Sequence, residues 1–532
     1  MSSSITPSTP NIKVVKAAGI VGGLTFLSRI LGYIRDMVVA SFLGAGIYTD
    51  AFIAAFRIPN LMRRLFGEGS LGVAFVPVFS EYLAKSNSPE AHRLVRAAVR
   101  LLVVILVFIV ILGSLFAPLI VKVVAPGFES IPEKMHLTIV LTRIMFPYLF
   151  FIGLVALCTA ILNTLGHFAA PALAPAFLNV AMITALFTTY YFSHSKDVLV
   201  IALASGVLLG GGFQMVLQLP FLMKSSINFW WRGTLYHPGL KKVGRLMLPT
   251  IFGSAVYQVN ILIGTLLASQ LSEGSISYLY YADRLVQFPL GIFAVALGTA
   301  VLPTLSRQAT DGNFTALKET FSEALCLIFF LTLPAMVGLI VLRETIVILL
   351  FQRGAFDAQA SQLTADALLY YGMGLWAYSA IRVVLPTFYA LQNTWTPVKS
   401  AIVSIGANIA FGIVLMKLMG HCGLALATAL ASILNFILLA LSLHFRLGAL
   451  KWYQITVSIL KSLLCASLMG WILWQIDQMS REVLGANRIL LFGQLIFMII
   501  MGIVLFILFA KTLNLQEVKL IFGIIKRSGK TN

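Results

Sequence analysis

The chain has 532 residues, 59% of them hydrophobic and 11% charged. A soluble protein is about 25% charged, so the composition excludes an ordinary globular domain and points to a membrane protein. The formal net charge of +19 raises nucleic acid as a partner, but the basic residues fall mostly in short connections between apolar runs, a topology signal rather than a binding stripe.

The first dozen residues are polar, and Lys13 and Lys16 precede the first apolar run. That run continues to about Leu43 through Arg29 and Arg35-Asp36, with no short apolar core and cleavage site, so a retained helix with a cytoplasmic start is expected. A spanning helix needs about 20 apolar residues. On that measure fourteen spans are predicted, at 14–43, 49–82, 99–124, 137–165, 171–192, 198–223, 245–270, 276–306, 320–342, 365–391, 396–417, 422–445, 455–475 and 489–511. The second and eighth are long and hold internal prolines, so a break or kink is expected in each. The piece Thr345–Phe351 is too short to span and is expected at the interface.

An even count from a cytoplasmic start leaves both termini inside. Cytoplasmic segments then hold 21 Lys or Arg, outer loops eight and the spans nine, a positive-inside bias. The tail NLQEVKLIFGIIKR has a helical apolar pattern and is expected to rest on the inner membrane surface. Cys158, Cys326, Cys422 and Cys465 lie singly in apolar segments, seven histidines never recur as H-x-x-x-H, and Gly529-Lys530-Thr531 lacks the upstream glycine of a phosphate loop. No enzyme, metal or cofactor site is expected from these.

The chain also repeats itself. Pro59 and Pro289 lie 230 residues apart, Pro77 and Pro303 226, Asn163 and Asn393 230, and Asn179 and Asn408 229. Six spans separate equivalents, so both copies keep one orientation, as in parallel-repeat transporters. The fold expected is all-α and polytopic: a lobe of six helices over 1–235, a second over 236–450 with the cargo site between them, and two further helices with the tail over 451–532.

Five of the nine cations within spans crowd the first two: Arg29, Arg35, Arg57, Arg63 and Arg64. A central Arg costs about 2.5–3.5 kcal/mol on insertion scales and usually lines a pathway. Far fewer carboxylates accompany them, so the cargo is expected to be anionic. In SRILGYIRD, Arg29 and Asp36 share a face two turns apart, as do Ser28 and Arg35. In DAFIAAFRIPNLMRRLFGEGS, Asn60, Arg64 and Glu68 follow at four-residue steps while Arg63 points elsewhere. YYADRLVQFPLG adds Asp283 and Arg284 from the second lobe, and IRVVLPTFYALQN adds Arg382. The guanidinium fork suits phosphate because it gives paired hydrogen bonds and keeps its charge when dehydrated. Cargo contact is favoured for Arg29, Arg35, Arg63 and Arg284. The alternative is that Asp36, Asp50, Glu68 and Asp283 tie some arginines into structural pairs. Arg57 and Arg64 are open between cargo contact and snorkelling, Arg143 reads as an interface anchor, and the four asparagines read as links between helices.

At these residues the chain resembles the MurJ/MviN lipid II flippases of the multidrug/oligosaccharidyl-lipid/polysaccharide exporter superfamily. The resemblance rests on SRILGYIRD, GAGIYTDAFIAAFRIPNLMRRLFGEGS, AFVPVFSEY, APGF, LPAMVGL and YYADRLVQFPLGIFAVALGTAVLP. It implies a flippase of the bacterial inner membrane that carries undecaprenyl-pyrophosphoryl disaccharide-pentapeptide outward, with Arg29, Arg35, Asp36, Asp50, Asn60, Arg63, Glu68 and Arg284 as the important polar positions. It also implies two lobes in a V and a lipid-tail groove at the last two helices. Lipid II and membrane lipids are then the partners, a monomer suffices, and no cofactor is needed. Some relatives are thought to couple to sodium in the second lobe, but no Asp or Glu lies between Asp366 and Asp477, so coupling to membrane potential is expected instead. An exporter of another lipid-linked glycan, or of a drug, is the nearest rival. A membrane transferase is the rival from another class.

Overall fold

The structure is a computed structural model that describes residues 12–65, 70–85, 88–224, 235–448, 450–484, 488–520 and 523. Every regular element among them is helical. The first series is α1 (Ile12–Leu43), α2 (Ile47–Leu65), α3 (Leu71–Lys85), α4 (Ser88–Leu115), α5 (Ala117–Val124), α6 (Pro132–Met145), α7 (Tyr148–Thr164), α8 (Ala169–Phe192) and α9 (Lys196–Lys224). The second is α10 (Pro238–Ser269), α11 (Ser275–Pro289), α12 (Val295–Thr310), α13 (Phe314–Val341), α14 (Arg343–Phe351), α15 (Ala358–Met373), α16 (Leu375–Ala390), α17 (Trp395–Met419) and α18 (His421–Leu447). Two helices follow, α19 (Trp452–Leu484) and α20 (Arg488–Thr512).

The two series correspond element by element. The first residues of α10, α13, α14, α15 and α17 lie 226 positions after those of α1, α4, α5, α6 and α8. Packing partners recur too. α2 packs on α6 as α11 packs on α15, α3 and α4 pack on α7 as α12 and α13 pack on α16, and α8 packs on α9 as α17 packs on α18. This is what duplication of one apolar helix bundle leaves behind.

Among the described residues, ten helices are long and apolar enough to cross a membrane, and an eleventh span arises if α15 and α16, bent by 42° at Gly374, are one. The predicted spans at 14–43, 49–82 and 245–270 fall on α1, α2 with α3, and α10, which are not among those ten. The break predicted in the second span falls between α2 and α3, where residues 66–69 lie outside the described residues. In the eighth, a π-helical turn at Leu290–Ala294 follows Pro289, whose missing N–H removes one helical hydrogen bond, and the segment Ser275–Thr310 continues as one span. α14 covers the short piece at 345–351. Its residues Thr345, Val347 and Phe351 are buried.

Packing inside each bundle is apolar, and so is much of the outside. α3, α4 and α7 share a core of Phe75, Phe79, Leu94, Leu157 and Ile161. α12, α13, α16 and α18 share another with Phe321, Phe329, Phe388 and Leu439. Val104, Phe108, Ile111 and Leu115 run along one exposed face of α4, as do Phe497, Ile500, Val504 and Leu508 on α20. A water-soluble protein would not leave such stripes uncovered. Small residues allow close helix approach: a Cβ on Gly298 of α12 would lie 2.4 Å from the Arg382 carbonyl oxygen of α16.

By contact density the chain divides into compact units at Met1–Leu262 and Ile263–Asn532, a boundary inside α10, whereas the boundary read from the repeat falls before it, after residue 235. The start of α10 is held within the first unit. His237 lies 3.3 Å from Glu90 and accepts from Gly239 N–H, and Lys242 lies 3.2 Å from Glu81. The described start of the tail packs on protein rather than only on a membrane surface: Leu515, Glu517 and Val518 are buried, Ser458 donates to Glu517, and Lys461 Nζ donates to the Leu513 carbonyl.

Candidate functional site

In the first unit the predicted arginines divide into two environments. Arg35 is 7% exposed and Asp36 3%. Helical neighbours point about 100° apart, yet the long Arg35 side chain curls back so that Nε and Nη2 donate to Asp36 Oδ1 at 3.0 and 2.6 Å. Its Nη1 donates to Asn179 Oδ1 on α8 at 2.9 Å, and Asn179 Nδ2 donates to the Ser28 carbonyl at 3.1 Å. Gly32, one turn from both, leaves room for the carboxamide, whose nitrogen would sit 3.7 Å from a Cβ there. The faces shared by Arg29 and Asp36 and by Ser28 and Arg35 do not bring those side chains together; Arg35 makes this α1–α8 tie instead. Arg29 is exposed on α1 and makes no hydrogen bond or ion pair among the described residues.

On α2, Arg63 Nε donates to Asn60 Oδ1 at 3.1 Å, so Asn60 pairs with Arg63 rather than with Arg64. Both are half-buried, as are Arg57 and Arg64, whose Nε atoms are shielded from solvent. Pro59 sits within this helix and α2 ends at Leu65. Glu68, the predicted last step of that ladder, lies outside the described residues. At the other end of α2, Asp50 is 1% exposed and meets Lys134 of α6 at 2.8 Å. Lys134 is itself 3% exposed and lies 4.3 Å from the Phe128 ring centroid. The sequence reading had counted Lys134 among the outer-loop cations. Its position two residues after Pro132, at the start of a helix, was the signal that it belonged to an element.

In the second unit, Arg284 is half-buried on α11. Its guanidinium stands over the Tyr280 ring at 5.5 Å, and Nη2 lies 3.4 Å from the Tyr280 hydroxyl, one turn back. Asp283 accepts from Gln287, one turn on. The neighbouring charges are thus engaged in opposite directions along the helix. Arg382 is exposed on α16. Arg143, in the last turn of α6, donates to the Ser114 carbonyl at 3.3 Å. Of the asparagines, Asn179 links two helices as predicted, while Asn393 bonds locally to Thr396. Between the last two helices, Asp477 is buried and accepts from Thr345 Oγ1 of α14 at 2.9 Å and from Gln494 of α20. No group of three or more His, Cys, Asp or Glu side chains that could hold a metal occurs among the described residues.

A duplicated bundle of long apolar helices, with guanidinium groups set inside the helices of both copies, defines a multi-pass membrane transporter. The chain belongs to the family described as lipid II flippase MurJ, whose profile matches residues 39–494. It is 38% identical over 481 residues to a probable lipid II flippase MurJ of Vibrio cholerae serotype O1, covering 89% of this chain and 91% of that one. It is 37% identical over 480 residues to the lipid II flippase MurJ of Burkholderia cenocepacia, covering 88% and 92%. A solved lipid II flippase MurJ in an inward closed conformation superposes with a TM-score of 0.77 at 29% identity, over 93% of this chain and 98% of that one. An inward-facing multidrug transporter of the MATE family matches at 0.65 and 14% identity over 82% and 99%, which is a likeness of fold alone.

Proposed function

We propose that this chain flips lipid II, undecaprenyl-pyrophosphate-linked disaccharide-pentapeptide, from the cytoplasmic to the periplasmic leaflet of the bacterial inner membrane. The observation that carries the reading is the set of arginines on α1, α2 and α11 in a chain of this family. The pyrophosphate and peptide carboxylates of lipid II supply the negative charge that so many intramembrane cations require. A cationic-drug exporter would need the opposite balance.

Within the set, the exposed Arg29 and the half-buried Arg63 and Arg284 are the cargo contacts, with Asn60 orienting Arg63 from one turn away. Asp283 and Arg382 support from the second lobe. Arg35 with Asp36, and Asp50 with Lys134, hold the helices that carry these contacts. Fourteen spans with both termini cytoplasmic follow from the excess of Lys and Arg in the segments read as inner. The two lobes expose their arginines to one face of the membrane and then the other. The absence of Asp or Glu between Asp366 and Asp477 favours membrane potential as the drive over a carboxylate-held cation.

The test is depletion in a cell that has this protein as its sole flippase. Intact lipid II accumulating in the inner leaflet is the expected result. Accumulation of an earlier precursor would place the chain among the synthetic enzymes, and accumulation of a different lipid-linked glycan would place it with the rival exporters.

A further inference from the structure

One half of the Asp50–Lys134 pair is placed against local preference. Asp50 sits in the first turn of α2, where the helix dipole favours an anion. Lys134 sits in the first turn of α6, where the same dipole disfavours a cation, and its side chain is 4% exposed. The ammonium, 2.8 Å from the carboxylate and capped by the Phe128 ring, is stable there because Asp50 is opposite.

The second copy of the repeat provides the comparison. α11 packs on α15 as α2 packs on α6, and the positions equivalent by distance from each helix start are Tyr278 and Ala360. Both are buried and neither is charged. These two positions therefore pack without an ion pair, and the first copy carries one there for a reason other than packing. A buried pair adds little net stability but enforces one arrangement of the elements that hold it.

We propose that Lys134 is a positioning residue for transport: paired with Asp50, it fixes the start of α2 against α6, so that Asn60 and Arg63 at the far end of α2 are presented in register for the cargo headgroup. The inference rests on the flippase reading. It assigns Lys134 no contact with cargo.

The experiment uses the full-length protein in proteoliposomes with lipid II, and compares wild type with Lys134→Met, Asp50→Asn, the double variant and Lys134→Arg. Three quantities are read for each: folded protein recovered, lipid II bound at equilibrium, and lipid II flipped per folded molecule. Lys134→Met is expected to lower flipping at least tenfold while binding stays within about threefold, because the cargo arginines are still present but out of register. Lys134→Arg is expected to keep at least half of the wild-type rate. The double variant is expected to flip several times faster than Lys134→Met, since the carboxylate that faced the lysine is neutral as well. Equal flipping by Lys134→Met and wild type overturns the proposal. So do losses in the two single variants that multiply in the double one, and so does a parallel fall in binding and flipping. If Lys134→Met yields no folded protein, the decision falls to the double variant, which upholds the proposal if it folds and binds but flips more slowly than wild type, and overturns it if it flips as wild type does. A wild-type protein that binds no lipid II removes the flippase reading and this proposal together, whereas normal wild-type flipping with an inert substitution removes only the proposal.

Discussion

Replacing Arg35 by Met keeps most of the side-chain volume and removes its hydrogen bonds to Asp36 and Asn179. Asp36, 3% exposed, then loses the Arg35 guanidinium, and Asn179 Oδ1 loses its donor from α1. Stripping one member from a buried pair costs about 3–5 kcal/mol, and an orphaned buried acceptor costs about 1–3 kcal/mol. The sum, roughly 4–8 kcal/mol, is comparable with the total stability of about 5–15 kcal/mol expected of a folded protein. Arg35→Met is therefore expected to lower the amount of inserted protein and its thermal aggregation midpoint in detergent, with the loss of flipping tracking the loss of protein. Adding Asp36→Asn removes the carboxylate that Arg35 had neutralised and is expected to restore much of the yield. Arg29→Met, at an exposed position without a partner among the described residues, is expected to leave yield and midpoint unchanged while flipping falls. If Arg35→Met accumulates and melts as wild type does but no longer flips, Arg35 is a cargo contact and the reasoning from the α1–α8 tie is wrong.

Three further outcomes follow from other parts of the molecule. Arg284→Ala is expected to abolish flipping with normal accumulation, and Arg284→Lys to be impaired less, since the ammonium keeps charge but loses the paired donors; in vitro flipping normalised to folded protein checks both, and normal flipping by the alanine variant refutes the contact. Gly298→Val places a branched side chain where even a Cβ would meet the Arg382 carbonyl at 2.4 Å, so α12 and α16 must separate, and a reduced melting midpoint in detergent is expected. Photo-crosslinkers at the exposed Leu464 and Leu468 of α19 and Phe497 and Ile500 of α20 are expected to capture polyprenyl cargo more strongly than one at Phe187 on α8, and equal labelling would count against a tail groove there.

Much of this fold is readable from apolar run length alone. The repeat was visible in four pairs of prolines and asparagines, because these residues mark bends and interhelical bonds whose spacing duplication preserves. The π-helical turn after Pro289 follows from a single missing N–H, which the sequence announces. Partner choice was harder. Spacing on a helical wheel sets Arg29 and Asp36, and Asn60 and Arg64, on shared faces, but a guanidinium on a long stem reaches sideways to its neighbour or on to another helix, and the wheel contains neither motion. Asn179 lay 144 residues from Arg35, and nothing in the local sequence joins them. Lys134 was missed for a related reason. A lysine at the end of an apolar run reads as a topology signal, and only the packing of α2 on α6 reveals the carboxylate that buries it.

The central claim is that this protein moves lipid II across the membrane, and outer-leaflet lipid II measured with a membrane-impermeant reagent tests it most directly. In a cell depleted of its own flippase and expressing this chain, outer-leaflet lipid II is expected to rise at least tenfold over the depleted control, and not to rise with the Arg284→Ala variant. Equal outer-leaflet lipid II with and without the wild-type chain, at equal total lipid II and with the protein inserted, would contradict the account.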